Sequence, residues 1–509
     1  MRTTLTSLLV VAIAAVTAAS VTLLPYYDDK TGGLQPLFFV TALLWVLFAL
    51  ALIALRGVPA RAAVALVIVG AIAIGGAAMA GPPNTSTDSA RYAWDGIVQN
   101  AGISPYEYVP ADPALAHLRT DWLFPAAVAG EDGEFGCRGA RVMTFKEVDT
   151  GEVGCTTINR VKVPTIYPPT SELFFAGVRG ITGPEPQYWP MQLAGLLMSL
   201  GITALLLGAL RSRGLDPRWA ALWAWSPLAA TEGVTNSHID ILGALLLVVA
   251  TVLVTSGHRW GAGIALGAAI ATKLIPVIGA PALLGRRPWK IILASIATFG
   301  VLYVPYVLTS GLDVLGYLPG YLSEEGYQSG ERFILLSLVA PGSAGLVLAM
   351  VLVLVTGLLV WWKSDPANPW LGQLLMIGTT LIIVTPRYPW YALLLVPMVA
   401  MTGRWEWLAV PLALTERLLI PDIDLARLTA AAAIVIILVM SARRAGPRSL
   451  RRLGRWLRHP LASSGTGIAA RRATVPQVIA RRAGRAFGKG AAGHRGKWLR
   501  IVISWGCAS

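Results

Sequence analysis

Two carboxylates stand early in the chain at a spacing that suits one face of a helix. Four side chains are spaced at i, i+4, i+7 and i+11: Asp88, Tyr92, Asp95 and Gln99. They share that face if Ser86 or Thr87 caps the helix. Arg91 lies at i+3 from Asp88, which is close enough on a helix to keep the Asp88 carboxylate ionised at neutral pH.

An ionised carboxylate of this kind can act as a general base and take a proton from an attacking hydroxyl group. Each acid also has a plainer structural interpretation. Asp88 could serve only as an acidic residue at a helix N-terminus, where the helix dipole favours negative charge. Asp95 precedes Gly96 and could belong to a turn.

The elements that must position these residues are those of a membrane protein. The chain has 509 residues, of which 55% are hydrophobic and 14% are charged, and its mean hydropathy is +0.62. Apolar runs of about 17–25 residues recur along it, and that length crosses the hydrocarbon core of a bilayer. We therefore expect an all-α polytopic membrane protein with about 12–14 transmembrane helices.

Apolar runs and charge divide the chain into four regions. Residues 1–80 are predicted to form three transmembrane helices, residues 81–186 an extracytoplasmic catalytic loop, and residues 187–442 the remaining helices and short loops. Residues 443–509 contain 16 Lys and Arg and no Asp or Glu, so they carry the net charge of +15. We expect this segment to be a disordered cytoplasmic tail near the anionic inner leaflet, not a nucleic-acid-binding region.

The orientation follows from the short loops that are rich in Lys and Arg, which favour the cytoplasmic side of a plasma-membrane protein. The loops then alternate consistently between the two sides of the membrane only if the apolar segment Gly261–Leu284 enters and leaves on the same side. Lys273 and Pro276 interrupt this segment. Both termini are then cytoplasmic and the long loop faces outward.

Cys137 and Cys155 both lie in the long loop, 18 residues apart. In an extracytoplasmic compartment a disulfide is favoured over two free thiols, which is the alternative. A zinc site is disfavoured because two cysteines without a nearby histidine do not supply four ligands.

Several motifs resemble the first outer loop of bacterial GT-C superfamily glycosyltransferases, and the nearest group is similar to glycosyltransferase family 87, of mannosyltransferase type. In the loop they are Asp88-x-x-Arg-Tyr-x-Trp-Asp-Gly-x-Val-Gln, Gly102-Ile-x-Pro-Tyr, Asp112-Pro-Ala-Leu-Ala-His-Leu-Arg, Ile158-Asn-Arg and Pro164-Thr-Ile-Tyr-Pro-Pro169. Further motifs follow in order: Ser237-His-Ile-Asp240, Ala271-Thr-Lys-Leu-Ile-Pro276 and Pro386-Arg-Tyr-Pro389.

The resemblance implies transfer of a single hexose, with mannose favoured, from a polyprenyl-phosphate carrier to an extracytoplasmic glycan or glycolipid acceptor. Asp88 would be the general base, the anomeric carbon would be inverted, and neither a metal nor another cofactor would be required. The chain departs from the family pattern in two ways. It has three spans before the loop where one is usual, and it has an insertion between Cys137 and Cys155. Because the inserted residues could shape the acceptor site, the family pattern does not define that site here.

Eight further residues are candidates for binding the substrates: Arg91, Tyr92, Asp95, His238, Asp240, Lys273, Arg387 and Tyr388. Lys273 and Arg387 could hold the departing phosphate. Each candidate also has a structural alternative. Lys273 could extend to the membrane interface and Arg387 could contact lipid headgroups, while His238 with Asp240 could cap a helix and Tyr388 could belong to an interfacial aromatic belt.

Other classes of protein find less support. The sequence contains no Walker loop, no strand-coupled GxGxxG, no HExxH and no Gly-x-Ser-x-Gly elbow. The alternatives that stay open are a flippase or transporter for lipid-linked sugars and a ligase that moves an assembled glycan from its lipid carrier. A transporter would favour paired broken helices in internal repeats, whereas one broken segment stands out here.

Overall fold

The computed structural model describes residues 1–24, 35–129, 135–139, 141–147, 151–285 and 287–458, with the backbone alone for 446–458. Residues 1–440 form one compact unit and residues 441–509 a second. The described chain is 70% helical with almost no strand, and it confirms the all-α polytopic membrane class.

The helices of the first half are α1 Arg2–Leu23, α2 Gln35–Leu55, α3 Ala60–Ala77, α4 Asp88–Asn100, α5 Pro169–Thr182, α6 Trp189–Ser212, α7 Ala221–Ala224 and α8 Pro227–Ala230. Those of the second half are α9 Asp240–Thr255, α10 Arg259–Ile270, α11 Pro281–Leu284, α12 Trp289–Ser310, α13 Leu318–Glu324, α14 Ser343–Lys363, α15 Trp370–Val384, α16 Val396–Thr402, α17 Ala409–Leu419 and α18 Ile423–Arg458. A π-helical turn, Thr231–Thr235, separates α8 from α9.

Seven helical segments of the described chain are long and apolar enough to cross a membrane: Arg2–Leu23, Gln35–Leu55, Ala60–Ala77, Trp189–Ser212, Trp289–Glu324, Ser343–Lys363 and Ile423–Ala445. An eighth is reached if Pro227–Thr235 and Asp240–Thr255, bent by 117° at their junction, count as one span. The number is below the expected 12–14 because other apolar runs are short or broken.

Prolines explain many of these breaks. Pro227, Pro276, Pro281 and Pro389 each stand in the first turn of a short helical segment. Proline has no N–H to donate and fits only the first turn of a helix, so it starts a new segment where an earlier one stops. The segment Gly261–Leu284 is accordingly two short helices, α10 and α11, joined by the 3₁₀ turn Ile275–Gly279.

The long loop between α3 and α6 carries the only strands of the described residues. Val128–Ala129 (β1) pairs with Phe135–Gly136 (β2), and Met143–Lys146 (β3) pairs with Val153–Thr156 (β4), both antiparallel. Helices α4 and α5 pack against each other in the same loop. Beneath it, one large apolar core joins α2, α3, α6, α9, α15 and α16.

The last helix runs further than predicted. The basic tail was expected to be disordered from residue 443, whereas α18 continues as a helix to Arg458. The rest of the predicted tail lies outside the described residues.

Candidate functional site

Asp88 is the first residue of α4, as the spacing of its neighbours predicted. Thr87 is the N-cap residue, and the Ser86 Oγ accepts a hydrogen bond from the Asp88 backbone N–H at 3.1 Å. The Asp88 Oδ1 accepts a 2.6 Å hydrogen bond from Asn159 Nδ2, and its Oδ2 lies 3.5 Å from His238 Nδ1. The carboxylate is therefore held by groups from two other parts of the chain.

The backbone before Asp88 is fixed to the π-helical turn. Asn236 Oδ1 accepts hydrogen bonds from the backbone N–H groups of Asn84 and Thr85, at 3.1 and 3.2 Å, and Asn236 Nδ2 donates to the Thr85 hydroxyl. From α6, Gln192 Nε2 donates to the carbonyls of Gly81 and Thr235. The membrane helices thus set the position at which α4 begins.

His238 lies at the bend between α8 and α9 and is fully buried. Its Nε2 is 3.3 Å from Glu232 Oε2, opposite the contact of its Nδ1 with Asp88. Its ring stacks on Trp390 with centroids 3.7 Å apart, and Trp390 stacks in turn on Tyr388 at 4.4 Å. Two carboxylates and an aromatic face therefore fix the orientation of the imidazole.

The surroundings of Asp88 favour its ionised form. Burial opposes ionisation, but the contacts with His238, the hydrogen bond from Asn159 and the charge of Lys273 together hold the pKa of Asp88 well below its ordinary value of 3.8. The first turn of α4 adds the favourable end of a helix dipole. Asp88 is thus a carboxylate at every physiological pH.

Lys273 lies in the break between α10 and the following 3₁₀ turn. Its Nζ forms a 2.8 Å ion pair with Asp240 Oδ2 at the start of α9, and it lies 4.6 Å from the centroid of the Tyr391 ring. The Lys273 side chain keeps 19% exposure, whereas that of Asp240 is fully buried. The ammonium group can therefore face a cavity while its partner anchors it.

A polar cavity of about 240 Å³ brings these groups together. Its charged or hydrogen-bonding lining includes Thr85, Ser86, Thr87, Asp88, Arg141, Asn159, Arg160, Lys273, Tyr321 and Tyr388. One carboxylate, Asp88, thus shares the cavity with the cationic side chains of Arg141, Arg160 and Lys273. Such a lining suits a substrate that carries both hydroxyl groups and an anion.

A second cavity of about 300 Å³ adjoins the first. The two have four lining residues in common: Ile166, Tyr167, Lys273 and Tyr321. The rest of its lining is mostly apolar or aromatic and includes Leu274, Tyr303, Leu315 and Tyr391. Larger grooves of about 870 and 630 Å³ lie elsewhere along the helices, but Asp88 does not line them, so we place the candidate site at the smaller pair.

One predicted interaction is wrong. Arg91 was expected to hold Asp88, but its Nε pairs with Asp95 Oδ1 at 2.8 Å and its Nη1 donates to the Val163 carbonyl. Residues three and four apart are both neighbours on a helix, and here the partner at i+4 is the buried one. Arg91 and Asp95 are nearly inaccessible and neither lines the Asp88 cavity.

The Arg91–Asp95 pair belongs to a buried polar cluster behind the site. Glu172 accepts hydrogen bonds from the Thr165 hydroxyl at 2.7 Å and from Gln99 Nε2 at 2.8 Å. Burial and the charge of Asp95 raise the pKa of Glu172 well above its ordinary value. One arginine cannot neutralise two buried carboxylates, so the buried cluster favours the neutral form of Glu172.

Two other predicted binding residues lie away from the cavity. Tyr92 is buried in an aromatic cluster, stacked on Phe175 at 4.5 Å and edge-on to Tyr167 at 5.0 Å. Arg387 is exposed and is absent from the residues that line the polar cavity. By contrast, His238, Asp240, Lys273 and Tyr388 all lie in or directly behind it.

The predicted disulfide is present, with Cys137 bonded to Cys155. It joins the segment before β3 to strand β4. Among the described residues, no group of three or more His, Cys, Asp or Glu side chains is placed to hold a metal ion.

Sequence analysis missed five residues that the structure places at the site: Arg141, Asn159, Arg160, Glu232 and Asn236. Asn159 and Arg160 belong to a motif noted in the long loop, so their signal was present but no role was assigned to it. Arg141 lies within the insertion, where no motif pointed to it. Asn236 acts through Asn84 and Thr85, about 150 residues away in the sequence, which a single sequence does not reveal. Glu232 contacts the nearby His238, but no motif assigned it a role.

The polytopic helical fold, with a carboxylate of the long loop beside cationic side chains, is consistent with the GT-C class of membrane glycosyltransferases. Residues 165–386 match the family model of glycosyltransferase family 87. Over that region the chain is similar to this family, a likeness that implies a membrane glycosyltransferase.

The match begins at Thr165, so Asp88 and most of the outer-loop motifs precede it, while His238, Asp240 and Lys273 lie inside it. No curated protein and no solved structure matches the chain. The role of Asp88 therefore rests on the geometry of the site.

Proposed function

We propose that this protein transfers a single hexose, with mannose favoured, from a polyprenyl-phosphate carrier to an extracytoplasmic glycan or glycolipid acceptor at the plasma membrane. The observation that supports this proposal is the polar cavity, in which an ionised Asp88 faces the side chains of Arg141, Arg160 and Lys273. The preference for mannose rests on family resemblance alone.

In the proposed step, the acceptor hydroxyl oxygen attacks the anomeric carbon from the face opposite the phosphate. A new carbon–oxygen bond forms while the bond from that carbon to the phosphate oxygen breaks, and the electron pair leaves with the phosphate. The acceptor proton passes to the Asp88 carboxylate. The anomeric centre is inverted and the enzyme forms no covalent intermediate.

A carboxylate with a low pKa can accept this proton because the hydroxyl becomes strongly acidic as its bond to the anomeric carbon forms. Until that moment the same low pKa keeps Asp88 free of a proton and ready to accept one. The leaving phosphate gains charge in the transition state, and cations already in place stabilise that charge without reorganisation.

The adjoining cavity supports a lipid-borne donor. Lys273 lines both cavities, so a phosphate held there would have its sugar near Asp88 and its lipid chain along the apolar lining. Arg387, exposed and away from both cavities, has no part in this arrangement.

The test is to incubate the purified protein in nanodiscs with polyprenyl-phosphate mannose, glucose, galactose or arabinose and a panel of glycan acceptors, and to measure release of the free carrier phosphate. One carrier should be consumed with a matching gain of one sugar on the acceptor. Movement of intact carrier across a liposome bilayer without sugar loss would identify a transporter. Transfer of a preassembled glycan alone would identify a ligase.

A further inference from the structure

A groove of about 870 Å³ lies between the membrane helices α3 and α6. Arg61, in the first turn of α3, and Arg211, in the last turn of α6, belong to its lining. The long loop joins the opposite ends of these two helices, so both arginines lie at the end remote from Asp88. Among the described residues, none lines both this groove and the polar cavity.

The walls of the groove are mostly hydrocarbon. Its aliphatic lining includes Val64, Ile68, Ile72, Leu200, Ala204 and Leu207. Thr203 also lines it, but the Thr203 Oγ1 donates to the Ser199 carbonyl at 2.9 Å. The interior therefore suits an alkyl chain, whereas a polar group placed there would lose its hydrogen bonds to water.

The length of the groove matches one leaflet of a bilayer. On α3 its lining runs from Arg61 to Ile72, and on α6 from Arg211 back to Leu200. About eleven residues separate each pair, which is about 16 Å along a helix that rises about 1.5 Å per residue. The hydrocarbon core of a bilayer is about 30 Å thick, so the groove extends from one side of that core to about its midplane. The acyl chain of a membrane lipid covers the same distance.

The arginines at the mouth of the groove carry charges that the protein does not neutralise. Both side chains are exposed, and neither forms an ion pair with any residue that the structure describes. Asp216, the nearest carboxylate to Arg211 in the sequence, is paired with Arg218, whose Nη1 lies 2.9 Å from the Asp216 Oδ2. The mouth therefore has a net positive charge that an anion can neutralise.

Charge and shape together select the ligand. A guanidinium group offers paired donors that match the oxygens of a phosphate. Basic pockets between membrane helices attract anionic headgroups, and each arginine near the membrane surface adds to that attraction. A ligand with its phosphate at the mouth and an alkyl chain in the groove contacts both the arginines and the aliphatic walls. A zwitterionic headgroup brings a cation of its own and should bind more weakly.

We propose that this groove binds an anionic phospholipid of the bilayer, with its phosphate between Arg61 and Arg211 and one acyl chain between α3 and α6. The site is separate from the polar cavity, because its arginines lie at the other end of the helices from Asp88. The inference goes beyond the proposed function and does not depend on it.

The headgroup is tested with palmitoyl-oleoyl phosphatidylglycerol, and the comparison is phosphatidylcholine with the same chains. Native mass spectrometry of the purified full-length protein in detergent gives the dissociation constant of the first bound lipid. Each arginine near the membrane surface strengthens the binding of an anionic lipid about fivefold, so the wild type should prefer phosphatidylglycerol by about thirtyfold.

The arginine variants measure that preference directly. Arg61→Gln and Arg211→Gln should each lower it about fivefold, and the double variant should bind the two lipids almost equally. The matched control is Arg287→Gln, which neutralises an exposed arginine outside the groove and should keep the wild-type preference.

Gly208 allows the groove itself to be filled. It lies three residues before Arg211 on the same face of α6 and lines the groove, and a Cβ added there would meet no other atom within 4 Å. Gly208→Leu should therefore enter the groove without displacing protein atoms, and leucine is also the better helix former. Keeping about two methylene groups of the lipid out of the groove should weaken the binding of both lipids about tenfold.

Gly300→Leu is the matched control for this variant. Gly300 is an exposed glycine within α12, it lies outside the groove, and a Cβ added to it would also meet no other atom within 4 Å. Its lipid affinities should equal those of the wild type. Melting curves recorded in parallel should show that both glycine variants are folded.

Equal affinity of the wild type for the two lipids would overturn the inference, and so would an unchanged preference in the double arginine variant. Wild-type phosphatidylglycerol affinity in folded Gly208→Leu would place the lipid elsewhere. Two other occupants would also overturn it. Displacement of phosphatidylglycerol by an equal amount of polyprenyl phosphate would identify the carrier as the ligand, and a dimer that Gly208→Leu dissociates would identify a second copy of the chain. None of these measurements involves sugar transfer, so the proposed function stands or fails separately.

Discussion

Asp88→Asn is the most direct test of the chemistry, because it removes the charge and nearly preserves the shape. The amide oxygen can still accept the hydrogen bond from Asn159, now 2.6 Å from Oδ1, so the start of α4 should keep its position. What disappears is the group that takes the acceptor proton. General-base catalysis contributes roughly 10²–10⁴ in rate, so kcat should fall by that factor, or about 3–5 kcal/mol of barrier.

The structure also fixes the sign of the effect on binding. Among the described residues, Asp88 is the only carboxylate in a lining that holds Arg141, Arg160 and Lys273. Its neutralisation removes the one charge that repels a phosphate, so Asp88→Asn should bind polyprenyl phosphate as tightly as the wild type or more tightly. A fall in kcat with undiminished carrier affinity is the pattern that separates a lost base from a damaged site.

Asp95→Asn is the matched control, since it makes the same chemical change on the same helix, away from the cavity. It breaks the buried pair with Arg91, a change that typically costs about 3–5 kcal/mol of stability. Its melting temperature should drop, while kcat per folded molecule stays near the wild-type value. If Asp88→Asn keeps near-full kcat while folded Asp95→Asn loses it, the assignment of the base is wrong.

Two further variants test the electrostatics. Asn159→Ala removes a hydrogen bond that lowers the pKa of Asp88, so kcat/KM of the variant should be lost on acidification at a higher pH than in the wild type, and equal acid sensitivity down to the lowest pH at which both stay folded would count against this role of Asn159. Glu172 has a raised pKa in the folded protein, so it costs stability as pH rises above its ordinary value of 4.5. Glu172→Gln removes this cost. The melting temperature of the variant minus that of the wild type should therefore increase as the pH is raised from 5 to 8. A difference that stays constant over this range would show that Glu172 is ionised.

Features that depend mainly on the local sequence could be predicted from it. The long spans such as Gln35–Leu55 and Ser343–Lys363 are apolar over the thickness of a bilayer, and length alone predicts them. Asp88 begins a helix directly after Ser86 and Thr87, as predicted, although the Thr87 side chain makes no capping hydrogen bond and the Ser86 Oγ accepts from the Asp88 N–H instead. The disulfide followed from the compartment that the loop was expected to occupy.

Which side chains contact each other in the folded protein could not be predicted in the same way. Arg91 has acidic neighbours at i−3 and i+4, and only burial in the folded protein selects Asp95. Asn159 reaches Asp88 across 71 residues of sequence, and the motif that contains Asn159 does not show which residue it contacts. Arg387 looked like a phosphate ligand by its residue type and loop, but tertiary packing leaves it outside the cavity.

Lys273 shows why the break in the membrane segment and the candidate site coincide. In the middle of a continuous helix in lipid, an ammonium group costs roughly 2.5–3.5 kcal/mol on insertion scales. The break after Ile270 instead turns Lys273 toward the cavity and Asp240. It also frees backbone carbonyls that lipid could not satisfy.

The long loop supplies hydrogen-bond donors for these carbonyls. The backbone N–H of Thr170 donates to the Ala271 carbonyl at 2.9 Å, and the Ser171 hydroxyl donates to the Thr272 carbonyl at 2.6 Å. Both donors come from the first turn of α5, directly after the segment whose Ile166 and Tyr167 line the two cavities. The hydrogen bonds that satisfy the carbonyls of the broken helix are therefore the same bonds that attach the long loop to the membrane helices. They lie next to Lys273, the cation that the break exposes.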